Sequence, residues 1–130
     1  MTAPDYVTIF NEEKLLQLFP ADRSDDFFEA LYGDASEGAY DIRLAFDAYK
    51  PEGKELRFSF QLHERPGKCL ACNLTYGLPE VFSRHPIINA KGLVDQIAKS
   101  IGKEIKAWQV GITNSVSKQL HSVPLTLQLV

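Results

Sequence analysis

Residues 40–76 read YDIRLAFDAYKPEGKELRFSFQLHERPGKCLACNLTY, and their period of two decides the fold. Tyr40, Ile42, Leu44, Phe46 and Ala48 alternate with Asp41, Arg43, Ala45, Asp47 and Tyr49. Side chains in a strand point alternately to its two faces, so this pattern predicts one apolar and one polar face. Pro51-Glu52-Gly53 is turn chemistry. Leu56, Phe58, Phe60 and Leu62 then alternate with Arg57, Ser59, Gln61 and His63. Arg65-Pro66-Gly67 is a second turn, and Leu70, Cys72, Leu74 and Tyr76 alternate with Cys69, Ala71, Asn73 and Thr75. The expectation is a central three-stranded antiparallel meander over 40–76.

Helical patterns flank it. Asn11 precedes Glu12 and Glu13, a cap followed by acids at the positive end of a helix, and Pro20 ends that segment. Asp22 to Asp26 open a second helix, in which Phe27, Phe28, Leu31 and Tyr32 share a face, and Gly33 closes it. Asn89 caps a longer helix whose stripe is Leu93, Val94, Ile97, Ala98 and Ile101, ending at Gly102. A strand over about 104–112 follows. Residues 113–122 are hydroxyl-rich and permit a helical turn, and Leu125, Leu127 and Leu129 close the chain as a strand. The fold class is α+β: one domain over 1–130, with helices on one face of an antiparallel sheet of about five strands.

Composition narrows the function. Apolar residues make 45% of the chain and charged residues 24%, which fits an ordinary globular domain and excludes collagen-like and disordered classes. The net charge of −3 argues against nucleic acid as a partner. It averages an acidic 1–40 segment (nine acids, two bases), a balanced 41–80 segment, and a basic 81–130 segment (six bases, two acids). The basic segment allows a local anion site near Lys99, Lys103, Lys106 and Lys118. No 18-residue apolar run occurs, so no membrane span is expected. The start has no basic-plus-apolar leader pattern and the two cysteines form no disulfide framework, which together predict a cytoplasmic protein.

Three constellations could carry chemistry. Cys69 and Cys72 form a CxxC inside an alternating strand, where residues three apart face opposite ways. They could neither bridge nor share a metal, so no metal site and no cofactor are expected. Three-residue turns at 51–53 and 65–67 would pair Ala48 with Leu56, Phe46 with Phe58, Asp47 with Arg57, Asp41 with His63, and His63 with Cys69. Asp41, His63 and Cys69 would then form a carboxylate–imidazole–thiol row on the polar face, the parts of an activated cysteine in a small enzyme or thiol sensor. Thr113, Ser115, Ser117 and Lys118 could hold an anion or phosphate if they opened a helix.

Trp108 shares a strand face with Val110 and Ile112, as a core residue or an interface anchor. Pro124 cannot donate to a ladder, which places the last strand at a sheet edge; pairing across a two-fold axis would cover that edge and give a homodimer. The element order (helices, three-stranded meander, helix, strands) is similar to that of small acidic secretion chaperones. That resemblance implies a dimeric, non-catalytic protein. The reading that best fits the sequence is a small non-enzymatic binding or adaptor protein acting through protein–protein contacts, on the polar sheet face or the acidic N-terminal helices.

Overall fold

The computed structural model describes residues 6–20, 22–34, 38, 40–50, 52–68 and 78–130. Its elements are α1 (Tyr6–Ile9), α2 (Glu12–Leu18), α3 (Arg23–Tyr32), β1 (Tyr40–Lys50), β2 (Glu55–Glu64), α4 (Leu78–Arg84), α5 (Ala90–Ile101), β3 (Ile105–Val110), β4 (Asn114–Ser115) and β5 (Leu120–Leu129). The strands form one antiparallel sheet in the order β1-β2-β5-β3, with β4 also paired to β5. The fold is α+β.

The helix ends follow the sequence signals. Asn11 Oδ1 accepts the Lys14 amide at 2.9 Å, and Asn89 accepts the Gly92 amide at 3.2 Å. Gly33 and Gly102 close α3 and α5 in the left-handed conformation that glycine adopts without a Cβ clash.

The inner face of the sheet is an aromatic seam. Phe58 packs edge-on against Phe10 at 4.9 Å and against Phe46 at 5.3 Å. Phe60 meets Phe19 from the end of α2 and Phe82 from α4. Leu125, Leu127 and Val123 of β5 are fully buried beside them. Edge-to-face ring pairs add to the stability that apolar burial supplies.

Two expectations about the strands change. Residues 69–77, including the predicted third strand and both cysteines, lie outside the described residues. The edge of β2 that a meander would give to that strand is held by β5: Leu62 sits opposite His121, and His63 opposite Leu120. Leu62 and His63 therefore have strand partners on both sides, Ile42 and His121 for the one, Asp41 and Leu120 for the other. The last strand is not at an edge either, since it lies between β2 and β3. Its proline fits because β3 ends at Val110, opposite Leu125, and β4 begins at Asn114, opposite Ser122. Pro124 falls in the gap between them. Its carbonyl there accepts the Gly111 amide at 2.8 Å. The nitrogen and oxygen of one residue address the same neighbour in an antiparallel ladder, so the missing N–H falls where the ladder is already interrupted.

The β1–β2 hairpin has a compensated register. Lys50 pairs with Glu55, so four residues rather than three separate the paired ends. This moves Ala48 opposite Arg57 and Tyr49 opposite Leu56. A β-bulge at Asp47 takes up the extra residue, and Phe46 faces Phe58 as expected. The bulge lets both phenylalanines reach the core.

Candidate functional site

All described helices that touch the sheet serve its inner face, and the outer face carries polar side chains in five cross-strand rows. From one end these are Asp41–His63–Leu120; Arg43–Gln61–Ser122–Asn114; Ala45–Ser59–Pro124; Ala48–Arg57–Thr126–Gln109; and Lys50–Glu55–Gln128–Ala107. The middle row has only small or ring-closed side chains. Beside it, the Ser59 hydroxyl donates to Asp47 at 3.2 Å, which brings the bulged aspartate onto this face. Burial raises the Asp47 pKa above the ordinary carboxylate value, and the Ser59 hydrogen bond partly opposes that shift.

Asp41 and His63 are cross-strand partners, as the sequence implies. Their side chains have separate partners. Asp41 Oδ1 accepts from Arg65 Nε at 3.0 Å, and His63 Nε2 is 3.1 Å from Gln61 Oε1. Arg65 also pairs with Asp25 of α3 at 2.8 Å and lies over the Phe28 ring at 5.3 Å. It thus ties α3 to the end of the hairpin. Nothing in the sequence flagged it, because Arg65-Pro66-Gly67 reads as a turn and Asp25 as a helix-start acid. Cys69, the proposed nucleophile, lies outside the described residues, and the position beside His63 that it would occupy belongs to Leu120.

Burial lowers the His63 pKa; the Arg43 charge lowers it further, and Asp41 partly offsets both. The unfolded chain then binds more protons than the fold just below the ordinary value of 6.5. This group leaves stability intact above 6.5 and subtracts from it as pH falls toward the folded value. An NMR titration should place the His63 midpoint below 6.5. Asp41→Asn should lower it further and Arg43→Gln should raise it. A midpoint insensitive to both would place His63 away from these charges.

The anion candidates do not open a helix. Ser115 is in β4, and Ser117 and Lys118 lie in the β4–β5 turn, where Val116 and Ser117 donate to the Leu120 carbonyl. Thr113 is buried, at 3% exposure. The hydroxyls therefore belong to a hairpin arm, and the permitted helical turn is replaced by a strand and turn. Lys99 and Lys103 line a hollow of about 480 Å³ that shares Val130 with a hollow of about 530 Å³ bordered by Lys54 and Lys106. Lys118 stands at the other end of β5 and does not join them.

Trp108 is half-buried against the core opposite Leu127, with Val110 opposite Leu125; Ile112 is 79% exposed and leaves that face. A hollow of about 260 Å³ at the β3 side of the outer face is lined by Trp108, Gln109, Thr126 and Gln128 among others.

Compared with family models, curated proteins and solved structures, the chain matches none.

Proposed function

We propose that the protein is a small non-enzymatic binding module that meets a protein partner on the outer face of its sheet. The observation supporting this is the five-row polar surface, carried on a rigid sheet whose opposite face holds the core. Its charges balance: Asp41, Asp47 and Glu55 against Arg43, Lys50 and Arg57. No Phe, Tyr or Trp stands in the rows. Single-stranded nucleic acid is held by cationic grooves and stacking Phe, Tyr and Trp rings, and a face of balanced charge without these favours protein instead. Catalysis by a Cys–His–Asp row is the weaker reading, because the Asp41 carboxylate is engaged by Arg65. A cytoplasmic location is our reading of the cysteine usage. The described helices include none long and apolar enough to cross a membrane.

Photo-crosslinking residues at Gln109 on the outer face and at Asp95 on α5 test this reading. Both positions are exposed. The expected result is a protein adduct, with self or another chain, from Gln109 only, weakened by Arg43→Glu. Adducts from Asp95 alone, or none from either position, would overturn it.

A further inference from the structure

On the polar face, β1 carries a charge pattern that is its own complement. Along β1 the signs run Asp41 negative, Arg43 positive, Ala45 neutral, Asp47 negative, Lys50 positive. Read backwards, each charge becomes its opposite about Ala45. Taking the outer face as a protein-binding surface, as above, we propose that it pairs with the same face of a second copy. The two-fold axis lies between the sheets, parallel to the Ala45–Ser59–Pro124 row.

That operation lays each strand over its own copy and reverses the order of the rows. Asp41 then faces Lys50 of the second copy, Arg43 faces the Asp47–Ala48 bulge, His63 faces Glu55, and Gln61 faces Arg57. Among the residues of the rows, no like charges meet. The other two-fold, parallel to the strands, lays β2 over β5 and sets Arg57 on Thr126 and Glu55 on Gln128, so it opposes no charges. Complementary charge fixes the register of a contact and disfavours the alternatives. The central row carries only small or ring-closed side chains, so the sheets can approach to the ~10 Å of stacked sheets.

The sheet edges are poorly suited to an alternative dimer made by strand addition. Ser24 Oγ accepts the Ile42 amide at 2.7 Å and donates to the Ile42 carbonyl at 3.3 Å, occupying both backbone groups of that β1 residue. β1 has a bulge at Asp47, and β3 has one at Lys106. Bulges and charged edge residues are the features that block edge pairing. The face remains as the broad surface. Strands about 4.8 Å apart and ten residues of about 3.3 Å each give roughly 600 Å² per copy, or roughly 1,200 Å² in total. That is the lower end of stable interfaces, so dissociation in the micromolar range that weakens further with salt is expected.

Sedimentation equilibrium from micromolar to millimolar concentration tests the proposal. The wild-type chain should pass from 14.6 kDa to twice that mass. Lys50→Asp should weaken the dimer about tenfold or more. Ala45→Arg, which leaves the Asp41–Arg65 pair intact, should abolish dimerisation while the melting curve stays cooperative. A mass of 14.6 kDa throughout overturns the proposal. So does a dimer indifferent to Lys50→Asp and Ala45→Arg. In either case a crosslink from Gln109 to another protein would leave the binding-module reading standing, whereas the lack of any such crosslink removes both.

Discussion

Phe58→Ala should lower the free energy of unfolding by about 3–5 kcal/mol, the range for truncating a large buried ring that leaves a cavity. Phe58 lies near the middle of β2 and is fully buried. Its ring contacts Phe10, which follows α1, and Phe46 on β1. These neighbours belong to different elements and cannot all collapse into the space left behind. Domains of this kind are stable by about 5–15 kcal/mol in total, so the variant stands close to unfolding. Urea denaturation should show a lower midpoint at unchanged slope. A midpoint within error of wild type would remove Phe58 from the core and the register of the hairpin with it.

The second large effect concerns the position of the last strand. Thr126 pairs with Arg57 on one side and Gln109 on the other, in an uninterrupted stretch of ladder. Thr126→Pro removes an amide there, and the carbonyl left unsatisfied costs about 1–3 kcal/mol before any clash of the ring. Pro124→Ala, two residues away in the gap between β3 and β4, should change stability by no more than about 0.5 kcal/mol. Thermal or urea unfolding of the two variants compares the sites directly. If proline at 126 is tolerated as well as proline at 124, the strand is not flanked on both sides.

The contrast between these two positions shows what could be read from the sequence. Alternation gave the strands at 40–50 and 55–64 and the facing of Phe46 on Phe58, because burial on one face is a local property of period two. The caps at Asn11 and Asn89 and the exits at Gly33 and Gly102 are equally local. Strand order is not local. Pro124 correctly signalled an interrupted ladder, but an interruption inside a sheet and an edge leave the same mark on one strand. The gap is created by Gly111 to Thr113, on the neighbouring chain segment. Insertion of β5 beside β2 likewise depends on contacts between residues far apart in sequence, from His63 with Leu120 to Glu55 with Gln128, which a periodicity cannot carry.

The candidate site divides in the same way. Asp41 opposite His63 follows from the hairpin, while the diversion of the Asp41 carboxylate to Arg65 depends on where α3 delivers Asp25 and Phe28. The bulge at Asp47 could not be anticipated from a three-residue turn. It supplies one of the charges that make the β1 sequence its own complement.

Dilution followed by amide NMR tests self-association through the polar face most directly. On lowering the concentration from millimolar to micromolar, amide shifts should move along the outer-face rows, at Arg43, Gln61, Arg57 and Thr126. The α5 amides of Asp95 and Lys99 should stay fixed. Shifts confined to the helix layer, or a spectrum independent of concentration, would contradict it.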